Sequence, residues 1–381
     1  ETIFSCFSTY RNRRSRAVNW GNLSEPDITS FEVKPKVESK LELMQGLIEN
    51  KVVFGVDYFR GKNDIFSGAS VDTNIDIYKT TVGTYLLNKV LIDKRFILNG
   101  GVRLDHAKYV FDQEKPDVFS ETIYLNETAI NVGIGYKYND RSQIYFDYAR
   151  SYRYPVVDEF FSYAYYDFWK MVNVPAFVNT SLKPQTANNF EIGIKDNSFD
   201  IVNFKMDYYF IDTKNEILYD PASGAFGANV NYPNTFRHGL ELEVNGQLFD
   251  VVSAFLNYTY QQAKFAGGSY SGKNIPLVPS DKISFGFNIK PIESVNIDLI
   301  SNYVGQRVAG SDMDNSGPKL KSAFVTDLNI EVKVKDISIV GSIKNMFGAK
   351  YFSSGFHYGP GADYYYPASE RRYELSVSCV F

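Results

Sequence analysis

Ile337-Ser338-Ile339-Val340-Gly341-Ser342-Ile343-Lys344 and, after an aromatic loop, Tyr373-Glu374-Leu375-Ser376-Val377-Ser378-Cys379-Val380-Phe381 decide the fold of this chain. In the second segment Tyr373, Leu375, Val377, Cys379 and Phe381 fall on one side, with Glu374, Ser376 and Ser378 on the other. The first alternates likewise, Ile337, Ile339, Gly341 and Ile343 against Ser338, Ser342 and Lys344. A period of two belongs to β-strands with one apolar and one polar face. A water-soluble sandwich produces such strands too. Here the pattern recurs along almost all of the 381 residues and stops on an aromatic terminus, which favours a membrane.

Working back from that end, Ile283, Phe285, Phe287 and Ile289 oppose Ser284, Gly286 and Asn288. Val295, Ile297, Leu299 and Tyr303 oppose Asn296, Asp298 and Asn302, and Phe324, Leu328, Ile330, Val332 and Val334 oppose Asp327, Asn329, Glu331 and Lys333. Leu240, Leu242, Val244 and Leu248 oppose Glu241, Glu243, Asn245 and Gln247, and the segments at 130–138 and 202–210 behave alike. Ionised groups sealed in a packed core would cost several kcal/mol each, so the charged face must border water or polar protein. The apolar face then meets lipid. Arg103, Asp105, Glu241, Glu243, Asp298, Asp327, Glu331 and Lys333 are thereby expected on the wall of a lumen. Residues 11–16 and 32–42 alternate less clearly and fix no register.

Short breaks at Asp93-Lys94, Asn139-Asp140, Asn197-Ser198, Phe249-Asp250, Glu293-Ser294 and Lys335-Asp336 alternate with long ones at 151–186, 212–231, 263–280, 305–321 and 352–371. Tight turns on one side and long loops on the other are the asymmetry of an outer-membrane barrel, with short periplasmic turns and long extracellular loops. The segments number about 16, an even count.

Composition agrees. Aromatics make up 16%, led by 29 Tyr and 30 Phe, which suits interfacial girdles. The mean hydropathy is −0.26, and no run approaches the ~18 apolar residues of a membrane helix. A net charge of −4 lacks the basic excess of a nucleic-acid binder. The 2 Cys, Cys6 and Cys379, form no disulfide or zinc framework. His106, His238 and His357 stand apart without metal-ligand spacing, and no nucleophile–His–acid set or carboxylate pair suggests an enzyme. Glu1–Tyr10 lacks the charged and apolar regions of a signal peptide, so the chain reads as mature or as part of a longer one.

Several passages together resemble the β-barrel of TonB-dependent outer-membrane receptors. Gly100-Gly101-Val102-Arg103-Leu104-Asp105 is similar to the family's GGVRYD strand. Ser151-Tyr152-Arg153-Tyr154-Pro155 with Asp158-Glu159-Phe160 is similar to its GFRAPTLDELF passage, and Leu182-Lys183-Pro184 with Phe190-Glu191-Ile192-Gly193-Ile194-Lys195 to LKPE…YELGLK. His238-Gly239-Leu240-Glu241-Leu242-Glu243, Pro276-Leu277-Val278-Pro279, Val304-Gly305-Gln306-Arg307 and Ile343-Lys344-Asn345-Met346-Phe347 match further stretches in the family's order. The resemblance covers most of the chain but not the family's plug domain or TonB box. It implies that residues 1–381 are a transmembrane antiparallel β-barrel, part of one with about 22 strands. It also implies uptake of a scarce ligand, a ferric siderophore or cobalamin, energised by the TonB complex, with lumen charges holding a plug. A passive porin-like channel and a surface β-sheet adhesin are the alternatives.

Two aromatic clusters are the ligand candidates: Tyr152, Tyr154, Phe160, Tyr163, Tyr165, Tyr166 and Trp169 in one long loop, and Phe356, His357 and Tyr358 in another. Either would stack on a small molecule such as a metal chelate. The plainer reading is an interfacial girdle that packs on itself.

Overall fold

The computed structural model of the chain describes residues 1–19, 22–68, 72–115, 117–162, 165–167, 172–174, 177–220, 223 and 228–379. Tyr163 and Trp169, and the aromatic terminus Phe381, lie outside the described residues. The described chain is almost wholly antiparallel β-structure, with one helical turn at Val157–Phe160. None of its helices is long and apolar enough to cross a membrane, which says nothing of strands. Seventeen strands belong to the extended sheet structure. Thr2–Arg14 and Ala17–Asn19 both pair with Asn22–Leu43 as one interrupted strand, so the expectation of about 16 crossings agrees. The chain divides into two compact units.

In the first unit (1–134, 147–189 and 213–233), Thr2–Arg14, Asn22–Leu43, Ile48–Gly68, Asp72–Ile92 and Phe96–Lys115 pair successively as antiparallel neighbours. Asp93 and Lys94, both at positive φ (49° and 53°), make the tight turn expected there. The register shows something simple alternation hides. Near the short turns one face carries Phe54, Leu86 and Val102, then Val56 and Leu104, while the other carries Asp57, Arg103 and Asp105. Beyond the row Tyr58–Val82–His106 the faces exchange character. The formerly apolar face now bears Arg60, Lys62, Asp64, Asp76, Lys108 and Asp112, and the formerly polar face buries Ile65, Ile75, Ile77, Ala107, Tyr109 and Phe111. From Ile48 to Val56 the apolar face runs for about nine residues, close to the ~9–11 a tilted membrane strand needs. Beyond those residues the two faces of each strand exchange character. One side then carries charge, and the opposite side builds a packed core.

The second unit (135–146, 190–212 and 234–381) carries Ala228–Phe249 from residue 234 on, followed by Val252–Phe265, Asp281–Ile292, Val295–Val304, Ala323–Val334, Ile337–Lys344 and Arg372–Cys379, each paired with the next. One row joins Ala254, Phe287, Leu299, Leu328, Ile343 and Tyr373 on the apolar face. Tyr258, Ile283, Tyr303 and Phe324 form another, and Tyr260 and Asp281 follow as the next residues outward. That is an aromatic belt at the edge of an apolar band. Ser301 and Thr326 are the polar exception on this face; they lie opposite each other, buried, and share a hydrogen bond of 2.9 Å.

Two boundaries differ from the sequence reading. The break at 212–231 is mostly strand: Val202–Asp220 and Ala228–Phe249 run through it. The loop at 352–371 folds as a hairpin, Phe352–His357 against Asp363–Pro367. The weakly alternating 32–42 stretch is the second half of Asn22–Leu43, with Glu32, Lys34 and Glu38 ion-paired along one face (Lys34–Glu32 2.7 Å, Lys51–Glu38 2.7 Å).

Candidate functional site

In the first unit the charged face of the sheet carries a hydrogen-bonded ion-pair network. Arg103 donates through Nη1 to Asp57 (2.5 Å) and through Nε and Nη2 to Asp105 (2.5 and 2.9 Å). The Tyr152 hydroxyl also donates to Asp105. The register makes room for this: Gly83 stands between Asp57 and Asp105, and a Cβ there would meet the guanidinium and the Asp105 carboxylate. Tyr85 places its ring beneath Arg103, with the guanidinium carbon 5.6 Å from the ring centre. Arg103 and Asp105 therefore share one face of the sheet with Asp57. Their partners Asp57, Tyr85 and Tyr152 were not singled out as wall groups. Asp57 and Tyr85 could have been, since they too are polar groups in strand register.

Beyond the band, the passage after Ser142–Arg153 is pinned down. Tyr152 belongs to that strand rather than to the loop. Tyr154 donates to the backbone oxygen of Asp105 (3.1 Å). Arg153 holds Glu159 with both oxygens (2.8 and 2.7 Å), and Glu159 accepts from the Val156 N–H (2.8 Å), which fixes the helical turn. Phe160, 1% exposed, packs between Tyr109 and Phe111 at ring separations of 5.1 and 5.2 Å. The Tyr109 hydroxyl donates to Pro155 O (2.9 Å). Burial raises the pKa of Tyr109 and of Tyr154, and it lowers that of Lys79, whose ammonium lies over the Tyr109 ring. Of the first aromatic cluster, then, Phe160 is a core residue with no face for a ligand, and Tyr152 and Tyr154 bond to Asp105. Tyr165 and Tyr166 lie in a short strand, Tyr165–Asp167, paired with Val172–Val174.

In the second unit Glu241, Glu243, Asp298, Asp327, Glu331 and Lys333 share one face of the sheet by register. Asn288 bridges Asn296 and Asp298 (2.6 Å each), Ser338 donates to Glu331 (2.7 Å), and the Asn345 N–H donates to Asp327 (2.8 Å). Sequence reasoning passed over a further cluster here. Tyr145 donates to Glu191 (3.0 Å) and to Asp207, which also pairs with Lys205 (2.8 Å). Gly193 gives this cluster room, because a Cβ there would meet Tyr145 and Asp207.

The hairpin Phe352–His357/Asp363–Pro367 divides the second aromatic cluster. His357 faces inward, 8% exposed, bonded to Asp363 (2.7 Å) and packed on Gly317. It clamps the hairpin to the neighbouring loop together with the Gly310 N–H to Gly355 O (2.8 Å) and the His357 N–H to Gly310 O (2.9 Å). Phe356 and Tyr358 stand on the other side with Tyr364 and Tyr366, two rings outside the sequence-predicted cluster. Their rings contact at 5.9–6.2 Å, and Tyr358, Tyr364 and Tyr366 are 54–60% exposed.

Residues 4–346 match the family described as "TonB dependent receptor-like, beta-barrel". The chain belongs to that family. Its members are outer-membrane transport receptors rather than enzymes, and this chain is accordingly an outer-membrane protein. An uncharacterized TonB-dependent receptor of Haemophilus influenzae is 25% identical, over 72% of this chain and 79% of that protein. The catecholate siderophore receptor Fiu of Escherichia coli is 22% identical over 77% of this chain but only 41% of its own length. Among solved structures, the ferric citrate transporter FecA superposes with a TM-score of 0.78 at 17% identity, covering 99% of this chain and 58% of FecA. The chain thus spans about half the length of Fiu or FecA.

Proposed function

We propose that this barrel works in a receptor that imports an iron–siderophore chelate, energised through TonB, as the barrel portion 1–381 of a strand-rich pore closed by a plug domain. The observation that carries this reading is the family match over 4–346 together with siderophore receptors among the relatives, which are named for catecholate and ferrioxamine ligands. The exposed rings of Tyr358, Tyr364 and Tyr366, packed with the half-buried Phe356 on the long-loop side, are our candidate for first capture. Arg103 and Asp105 in the first unit, and Glu241, Glu243, Asp298, Asp327, Glu331 and Lys333 in the second, are our candidate plug contacts, since charged side chains on a wet face readily exchange water for a polar partner.

The test is radiolabelled uptake by cells expressing the full-length protein, using ferric catecholate, ferrioxamine, ferric citrate and cobalamin. Uptake of one chelate that stops with a protonophore is the expected result. Tyr364→Ala combined with Tyr366→Ala should weaken its binding by about tenfold, at roughly 0.5–1.5 kcal/mol per aromatic contact. Passage of all four solutes regardless of energy would instead mean a porin-like channel. Cell attachment without uptake would mean an adhesin.

A further inference from the structure

On the long-loop side of the second unit, four segments lie side by side above the belt. The Gln261 N–H donates to Ser280 O (2.8 Å), the Ile275 N–H to Ala263 O (3.0 Å), the Leu277 N–H to Val308 O (2.9 Å) and the Leu320 N–H to Arg307 O (2.9 Å). They enclose a cavity of about 330 Å³ whose lining includes Lys264, Arg307 and Lys319 with the neutral Tyr260, Gln262 and Asn274, and no Asp or Glu.

Arg307 is the unusual member. Its Nη2 donates only to neutral carbonyls, Ser353 O (2.8 Å) and Phe352 O (3.4 Å). Its Nη1 is enclosed and has no hydrogen-bond partner. No carboxylate pairs with Arg307, Lys264 or Lys319 among the described residues. Burial alone acts on the guanidinium, pushing its pKa down. A half-buried guanidinium with one enclosed, unpartnered nitrogen and no counter-charge is costly, and two further cations on the same cavity add to the cost. Chains tolerate such a cluster where an anion supplies the missing charge, and Arg prefers oxyanions because its planar fork matches two oxygens at once.

We propose that the cavity bounded by Lys264, Arg307 and Lys319 binds an oxyanion, a carboxylate or phosphate group. The group comes either from a soluble ligand or from a lipid headgroup of the outer leaflet. The cavity takes a small polyanion or one headgroup phosphate, not a macromolecule.

The test is calorimetric titration of the full chain, folded in nonionic micelles at low salt, with citrate and with inorganic phosphate. Saturable binding of at least one anion is expected, weakening as salt screens the charges. Arg307→Gln should weaken it about tenfold or more, since one charge-assisted hydrogen bond contributes roughly 1.5–3 kcal/mol. Arg307→Gln also loosens the Phe352–Ser353 contact, so Lys264→Gln with Lys319→Gln is measured beside it, and this pair leaves that contact in place. Lys335→Gln, in a short turn, should change nothing. Micelles doped with lipid A give the source: displacement of the soluble anion assigns the site to a headgroup, and its absence to a soluble ligand. No saturable binding in the wild type, or binding unchanged in both variants, overturns the proposal. Because the readout needs neither TonB nor uptake, it stands or falls separately from the import reading.

Discussion

Phe287 and Asn288 are adjacent in the chain and differ in what their faces meet. Phe287 lies among Ala254 and Leu299 on the apolar face, while Asn288 hydrogen-bonds Asn296 and Asp298 on the polar one. Phe287 stands about six residues from the turn at 293–294, or roughly 20 Å along the strand and about 15 Å in depth at a ~40° tilt. That is the middle of a ~30 Å hydrocarbon layer. Phe287→Arg should therefore cost about 2–4 kcal/mol for the charge and about 2 kcal/mol for the lost Phe, some 4–6 kcal/mol in all. Ile283→Arg, on the same face but in the belt row with Tyr258 and Tyr303, lies near the interface, where the charge costs only about 0–1 kcal/mol. Asn288→Arg places its charge beside Asp298 and should stay within about 1 kcal/mol of the wild type. The folded fraction is read by urea titration in lipid vesicles, using the shifted migration of unheated barrels on gels. A cost that peaks at Phe287 and falls toward Ile283 is the signature of a bilayer. Equal large costs at Phe287 and Ile283, unaffected by acyl-chain length, would mean that this face packs in a dry protein core, and the lipid assignment would be refuted.

Three further outcomes follow from the first unit. Gly83→Ala drives a methyl into the Arg103–Asp105 contact and should destabilise by about 1–3 kcal/mol; in an Arg103→Ala background that penalty should largely vanish, which a double-mutant cycle measures. Phe160→Ala removes the ring between Tyr109 and Phe111 and should cost about 3–5 kcal/mol locally, seen as faster proteolysis within 154–182 while the membrane band stays protected. Lys79, its pKa lowered by burial, binds fewer protons folded than unfolded in the window just below the ordinary 10.5. Stability should therefore rise with pH in that window, and Lys79→Met should abolish the rise in the same urea titration.

The membrane band was legible because it obeys one rule, a side-chain period of two with a constant sign of polarity. Ile283, Phe285 and Phe287 against Ser284 and Asn288, and the turn at Asp93-Lys94, needed no three-dimensional information. Legibility fails where the sign reverses. In Phe96–Lys115 the alternation never stops, but after Asp105 the inward positions become Ala107, Tyr109 and Phe111 while the outward ones become His106, Lys108 and Asp112. A single sign assumed along the whole strand reads those residues as a loop or a girdle. The same error shortened the strands at 212–231. The site was obscured for a different reason: what makes an aromatic residue core or display is its partner's distance in space, not its own identity. Phe160 is buried by Tyr109 and Phe111, about fifty residues away in sequence, and His357 by Gly317, forty away, whereas Tyr364 and Tyr366 touch only their hairpin neighbours and stay exposed. Composition counts these residues alike. Only the register of neighbouring strands separates the ring that holds the wall from the ring that can meet a ligand, and the same register sets Gly83 beneath Arg103, where any side chain would unseat the charge.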